Sequence, residues 1–423
     1  VKLLQNKSSK LPRDIFAALD IGSSKVCCSI ASVGRDADNV NSVRVVGVAS
    51  HLAKGIRGST IVHSEDLEDS ILNAVHSAEQ LAQQNIKSVY VNIPADGLQS
   101  HYLTSTIALN GQAVADSHLE KALEDVSRKQ DVTAGRRIVH CFPMWYDLDE
   151  NVQIQDPRNM VGNSLTTHFH IVTASVNLIA NLSACVGRCH LDVDAFIAGP
   201  YATSLATLVD DEKEMGVTLL DIGSHNVSII SYLKGVPIFL GSVPLGGNHI
   251  TSDIAQGLNT SLSQAERLKT LYGSLIGSGD NKENILVTQL GEDSLSFASP
   301  VSKSFLMHII KSRADEIIEV IDKTLLNSNI DKLALQRFVI TGGSSQLQGL
   351  KELMQQKFNK SVRSALPQGV QGMGDILHTP TFALCAGLLH YAVQDYQGFK
   401  LYGALKKPKN IFKRMWQWAH KNI

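Results

Sequence analysis

The sequence predicts an α/β protein of two related lobes, with a small α+β insert in the first lobe and an amphipathic helix at the C-terminal end. Three observations carry this reading. Leu-Asp-Ile-Gly-Ser occurs twice, at 19–23 and 220–224, each time after an apolar run and before alternating polar and apolar residues. An internal repeat of this kind implies two related halves. A third apolar run, Phe338-Val-Ile-Thr-Gly-Gly-Ser344, also ends in a glycine-rich turn. Finally, residues 411–423 set apolar side chains opposite basic ones at helical spacing.

Composition bounds the reading. The 423 residues correspond to roughly three domains of about 150 residues each, and 43% hydrophobic content can fill real cores. Lys plus Arg number 39 against 40 Asp plus Glu, which gives no general case for nucleic-acid binding. Charge is nevertheless concentrated at one end, because seven basic residues and no acid follow Asp395. Cysteines 27, 28, 141, 185, 189 and 385 form no disulfide-like framework and no N-terminal apolar segment follows Lys2 or Lys10, which predicts a reducing cytoplasm. No apolar stretch reaches the roughly 18 residues needed to span a bilayer, so any membrane contact is expected to be peripheral.

In each copy of the repeat an apolar strand (15–19; 217–220) runs into an Asp and then a Gly-Ser turn, as in a β-hairpin whose bend approaches a ligand closely. Turn amides of this sort hold phosphate oxygens. Asp20 and Asp221 would face that anion through a metal ion or water, since bare carboxylate repels phosphate. After the first hairpin, 43–50 reads as a strand, 54–58 as a turn, and 65–84 as a helix with Leu67, Ile71, Leu72, Val75 and Ala78 on one face. From Lys87 the pattern changes to strands at 88–93 and 103–109, a helix from Asp116 or Ser117 to Gln130, and an extended run 137–148, an α+β insert. The α/β pattern resumes with a strand at 168–173, a helix over 176–189 and a strand at 191–197. In the second half, Pro244-Leu-Gly-Gly-Asn248 leads into an apolar segment at 250–258, and 263–272 reads as an amphipathic helix. A mobile loop is expected at 277–282, a strand-to-turn phosphate or nucleoside loop at 341–345, a helix from near Leu347, an apolar helix over 381–392 and a linker over 396–409.

The two Asp-Ile-Gly hairpins and Ile340-Thr-Gly-Gly-Ser-Ser345 resemble, in order and spacing, the phosphate-1, phosphate-2 and adenosine motifs of the actin, DnaK-type chaperone and sugar-kinase superfamily. Within it, the insert, the Pro-Leu-Gly-Gly-Asn-His-Ile-Thr-Ser-Asp-Ile run and the basic amphipathic tail resemble the FtsA family of bacterial cell-division proteins over nearly the whole chain. The resemblance implies an actin-like fold with subdomain 1A at 11–86, 169–200 and 372–395, insert 1C at 87–168, 2A at 201–245 and 305–371, and 2B at 246–304. It implies ATP with Mg as cofactors, self-association into protofilaments, and tethering of FtsZ filaments, by their C-terminal tail at 2B, to the cytoplasmic face of the inner membrane at the division septum. Late division proteins would be recruited at 1C. Carried over by motif position, Asp20, Gly22, Ser23, Ser24 and Lys25 form phosphate loop one, and Asp221, Gly223, Ser224, His225 and Asn226 form loop two. Gly342, Gly343 and Ser344 border the adenosine, and Asp20 and Asp221 hold Mg through water. Glu266 and Lys269 match an acidic-basic pair that reaches ribose and base, or form an ordinary solvated ion pair. Gly246 and Gly247 face the ligand or simply make a turn.

The chain departs from the superfamily at the second loop, where Asp-(apolar)-Gly-Gly-Gly-Thr-x-Asp is replaced by Asp221-Ile-Gly-Ser-His-Asn-Val-Ser228. A left-handed backbone at Ser224 or His225 would carry strain of about 1 to 2 kcal/mol, and no side chain is assigned to activate a hydrolytic water. Weak or no ATPase activity is therefore expected. In the tail, Ile411, Phe412, Met415, Trp416, Trp418, Ala419 and Ile423 share one arc of roughly 160° at about 100° per residue, opposite Lys413 and Arg414. Such a helix suits burial in the headgroup region of an anionic membrane; the alternative is docking on a protein groove. Cys185, Cys189 and His190 are read as helix packing rather than a metal cluster, and His168 and His170 as structural. The rival functions are a small-molecule kinase of the same superfamily, with Asp96 as the nearest general base, and a pilus-type adaptor ATPase.

Overall fold

The computed structural model describes residues 15–35, 41–128, 135–276, 283–290, 296–328, 330–372 and 378–396. The loop expected at 277–282, the linker from 397 and the amphipathic helix lie outside these residues. Two sheets repeat one topology. In the first, Ile15–Ile21 pairs antiparallel with Lys25–Arg35, which pairs antiparallel with Asn41–Leu52, while on its other side Ile15–Ile21 runs parallel to Ser88–Ile93 and that strand parallel to Asp192–Ala198. In the second, Val217–Ile222, Val227–Leu233 and Val236–Val243 make the antiparallel run, and Arg337–Thr341 and Ser361–Ser364 extend it in parallel. The duplication legible in one pentapeptide therefore extends to five strands in each half. A short strand Val370–Gln371 crosses back to pair with Asn41–Leu52.

Period-2 alternation distributes these strands between cores. Ala18 and Cys27 face a core shared by both sheets, whereas Leu19 and Cys28 face the outer helices Ser64–Ala82 and Val176–Arg188. The shared core is filled by helices Gly199–Thr207 and Ala383–Tyr396, wedged between the sheets so closely that a Cβ on Gly387 would strike the Ala202 carbonyl. On the far face of the second sheet lie Gly247–Gly257, Lys303–Asn327 and Leu350–Phe358. The order is helices, sheet, helices, sheet, helices.

The insert is a four-stranded sheet of Leu98–Ala108, Ser164–Ser175, Arg136–Leu148 and Asn151–Ile154, covered by helix Asp116–Ser127. Two strands change place relative to the sequence reading. Ser88–Ile93, read with the insert, lies inside the first core sheet, and Ser164–Ser175, read as a return to the core, belongs to the insert. The helix at 350 starts three residues later than expected because a 3-10 turn, Gly343–Gln346, intervenes. Tyr396 ends a helix instead of opening the linker. The hairpin Asn284–Leu290/Ser296–Ser302 and the helix Lys303–Asn327 were not anticipated.

Candidate functional site

The two Asp-Gly hairpins close alike. Gly22 N–H donates to the Lys25 carbonyl at 3.0 Å, and Gly223 N–H donates to the Asn226 carbonyl at 3.0 Å. A Cβ on either glycine would meet that same carbonyl at 3.0 Å, so close turn geometry accounts for both. The Ser24 carbonyl accepts from Ala53 N–H at 3.0 Å and the Ser224 carbonyl from Asn248 N–H at 2.7 Å, at positions that are not equivalent in the repeat, so each turn is tied in its own way to the segment after its third strand. None of Ser224, His225 and Asn226 takes a positive φ, and the substituted second loop closes without that strain. His225 is held below the usual imidazole range by burial, then by His249 and Arg57, with Asp96 opposing.

Each hairpin delivers one carboxylate to the cleft. Burial raises Asp20 to about 6, with Lys25 pulling it down and Asp221 pushing it up. Burial likewise raises Asp221, against the hydrogen bond from Thr203 and the Lys25 charge. Thr203 Oγ1 donates to Asp221 Oδ2 at 3.0 Å, whereas among the described residues no donor reaches the Asp20 carboxylate. Lys25 Nζ donates to the Thr381 carbonyl at 2.8 Å and lies 4.0 Å from the Phe382 ring centroid.

The third loop closes over the second hairpin. Ser344 Oγ donates to the Gly223 carbonyl at 2.9 Å. Gly342, at φ 89°, sits so close to Asp221 that any side chain would collide with its carboxylate. Gly343 differs: it has no positive φ, and a Cβ there would meet only Thr381 Oγ1, at 3.7 Å. Among the described residues nothing requires glycine at 343. Gly246 and Gly247 are accounted for by packing, against the Gly223 and Ser224 carbonyls and against Ser344. The helix they open has its first amides engaged, Gly247 N–H with the Gly223 carbonyl and Asn248 N–H with that of Ser224. Lys269 is also occupied, donating to Gly247 O at 3.1 Å and Thr251 Oγ1 at 2.9 Å and pairing with Glu266 at 2.7 Å. Glu266 is half exposed, and the pair forms a knot under this helix rather than a free surface bridge.

Sequence reasoning missed four contributors. They are Thr203, Thr381, the buried Asn92 whose Oδ1 accepts from Ile21 N–H at 2.7 Å, and Asp96 as a hydrogen-bonding rather than basic group. Only the first carried a signal, since Gly199-Pro200 marks the start of the Thr203 helix. Among the described residues no cluster of three or more His, Cys, Asp or Glu could hold a metal. Two carboxylates, one of them buried and without a donor, do suit Mg²⁺, which takes one or two carboxylates and completes its shell with phosphates and water. The arrangement can bind a polyphosphate: turn amides, a lysine, and carboxylates that need a cation.

A curated relative from Rhizobium meliloti (strain 1021), Cell division protein FtsA, is 34% identical over 421 residues, 97% of this chain and 95% of that protein. The chain belongs to the FtsA family. The family model for cell division protein FtsA matches residues 218–387, and the model for the SHS2 domain inserted in FtsA matches residues 96–173. A second FtsA, from Pseudomonas aeruginosa, is 30% identical over 384 residues, 90% of this chain and 89% of that protein. The fold is actin-like. Among solved structures, a PilM-PilN type IV pilus biogenesis complex aligns with a TM-score of 0.65 at 17% identity, covering 90% of this chain and 99% of that one. MreB5 of Spiroplasma citri bound to ADP aligns with a TM-score of 0.53 at 11% identity, covering 91% of this chain and 99% of that one. The FtsA-family insert thus coincides with the four-stranded sheet described above.

Proposed function

We propose that this FtsA-family chain binds ATP with Mg between its two hairpins, self-associates into protofilaments, and tethers FtsZ filaments to the cytoplasmic face of the membrane at the septum. The observation that carries the nucleotide part is the convergence of buried Asp20 and Asp221 with Lys25 at the mouths of two hairpins closed by the same bond. Asp20, Gly22, Ser23, Ser24 and Lys25 take one side of the phosphates, and Asp221, Gly223, Ser224, His225 and Asn226 the other. Gly342, Gly343 and Ser344 border the nucleoside. Asp20 and Asp221 would hold Mg²⁺ through water, and the ion would supply the positive charge that both the phosphates and the buried carboxylates need. Hydrolysis is weak or absent, as no residue is assigned to activate water.

The subdomain division belongs to the same proposal, with the insert taken as the sheet from Leu98–Ala108 to Ser164–Ser175, that insert recruiting later division proteins and residues 246–304 receiving the FtsZ tail. Residues 410–423 engage anionic lipid through Trp416, Trp418 and Phe412 on one face and Lys413 and Arg414 on the other. A kinase reading is less well supported, because Asp96, its nearest general base, already accepts two hydrogen bonds from the protein. The test is thermal unfolding of the full chain with millimolar ATP, with and without Mg²⁺. A ligand at a hundredfold excess over Kd stabilises by about 2.7 kcal/mol. A Mg-dependent rise in midpoint is expected, and its absence would remove the nucleotide site. A fluorescent FtsZ C-terminal peptide tests the partner, with loss of binding expected for Arg267→Glu or Lys303→Glu.

A further inference from the structure

Asp96 stands where the first core sheet ends and the insert begins, in the 3-10 turn Ala95–Gly97 between strands Ser88–Ile93 and Leu98–Ala108. Its Oδ2 accepts from Ser59 N–H at 2.7 Å, and its Oδ1 accepts from Asn226 Nδ2 at 3.3 Å. The neighbouring Gly58 N–H donates to Ser23 Oγ at 2.9 Å. A bonded path therefore runs from Ser23 of the first hairpin turn, through Gly58 and Ser59, to Asp96 and on to Asn226 of the second. Gly58, at φ 58°, leaves no room for a side chain beside the Asp96 carboxylate, so the turn and the acid fit as a unit.

The far side of Asp96 is tied to the insert. Arg136 donates through Nη2 to Gly97 O at 3.0 Å and to Thr173 O at 2.9 Å, gripping the turn from two insert strands. The strand leaving the turn then bonds along the edge strand Val236–Val243 of the second lobe. Ser100 Oγ donates to Leu240 O at 2.8 Å and accepts from Leu240 N–H at 2.9 Å, and Tyr102 OH donates to Ile238 O at 2.8 Å. His170, buried on the adjoining insert strand, contacts Pro237 O at 2.8 Å. A sheet edge is a row of unpaired backbone groups, and here insert side chains satisfy part of that row.

We propose that Asp96 is a positioning residue that reads the separation of the two hairpin turns through Ser59 and Asn226 and passes it, by way of the Leu98–Ala108 strand, to the seam between insert and second lobe. The inference rests on the nucleotide reading, because a phosphate chain seated between Ser23 and Asn226 sets that separation. The insert surface then registers whether the cleft is filled.

The experiment is hydrogen exchange on the full chain, with and without AMPPNP and Mg²⁺, for the wild type, Asp96→Ala and Asp96→Ser, both of which remove the bridge between Ser59 and Asn226. In the wild type, exchange is expected to slow about tenfold both at the hairpin turns and in segments 98–108 and 236–243. Each variant should keep the slowing in segments 220–223 and 341–344 and lose it in 98–108 and 236–243. Persistent slowing at the seam in both variants overturns the role of Asp96. Asp96 is exposed, so its replacement removes no core contact, and Asp96→Ser decides the matter if Asp96→Ala perturbs folding. Seam segments unaffected in a wild type whose hairpins do respond also overturn it, with the nucleotide site left standing. No response anywhere in the wild type overturns the nucleotide reading and this inference together.

Discussion

Asp20 is held where its charge is costly unless a cation joins it. Its carboxyl is buried beside Asp221, with Lys25 as partial compensation, and titrates near 6 instead of 3.8. Folding therefore takes up a proton between those values, and the contribution of Asp20 to stability falls as pH rises through that window. Asp20→Asn should raise the unfolding free energy of the ligand-free protein by about 1 to 3 kcal/mol at pH 7.5 and by nearly nothing at pH 4, while abolishing the response to Mg-ATP. Urea unfolding at the two pH values measures this, and a variant no more stable than wild type at pH 7.5 would show that Asp20 is already compensated. The glycines make a second test. Gly342→Ala should destabilise by about 2 kcal/mol or more, because φ 89° and the Asp221 carboxylate both exclude a side chain. At Gly343 a Cβ meets nothing closer than Thr381 Oγ1 at 3.7 Å among the described residues, so Gly343→Ala should leave the ligand-free midpoint nearly unchanged, while Gly343→Trp should block the nucleotide shift.

At the scale of elements, the seam between insert, central helices and second lobe depends on neutral histidines. His140 Nε2 accepts from Ala198 N–H at 3.0 Å amid Phe142, Tyr201 and Tyr391, and burial lowers it to about 3. Burial lowers His170 to about 4. Both lie below the ordinary 6.5, so the unfolded chain binds more protons and stability is lost as pH falls from about 6.5 toward 4. This opposes the Asp20 effect and outweighs it, because two groups with larger shifts are involved. His140→Gln, which can still accept from Ala198, should flatten the fall in urea stability between pH 6.5 and 4.5; an unchanged slope would place the acid sensitivity elsewhere. The same seam shows what the sequence made legible. The hairpin loops were readable because Asp20, Gly22 and Lys25 are local to one turn, and Asp221, Gly223 and Asn226 to another. Thr203, Asn92 and Asp96 act across 18, 71 and 130 positions, and no local pattern encodes such contacts. Alternation identified Ser88–Ile93 as a strand but could not show that both its neighbours are core strands. The helix Lys303–Asn327 was readable in principle, since Leu306, Ile310, Ala314, Ile317, Ile321 and Leu325 recur at helical spacing. The hairpin before it was not, with Pro300 opposite Leu286 and serines at both ends of its second strand.

At the scale of the whole molecule, the last described helix is the keystone of the body. Leu388, Leu389, Ala392 and Val393 lie in the core between the two sheets, and Cys385 and Ala386 beside them are fully buried. No described helix is long and apolar enough to cross a membrane, and the lipid contact proposed for residues 410–423 lies outside the described residues. A chain ending at 396 should keep the unfolding midpoint and nucleotide response of the full protein and lose co-flotation with vesicles containing anionic lipid. A chain ending at 382 loses the inter-sheet core and should not fold. Within the full protein, Trp416→Glu or Trp418→Glu should each weaken flotation strongly, because a carboxylate replaces an indole at the interface and is repelled by anionic lipid. Lys413→Gln should have a milder effect that shrinks at high salt, since the cation acts through a screened field. Flotation of the 396-residue chain equal to that of the full protein would place the lipid contact on the body, and unfolding of that chain would make the tail part of the fold.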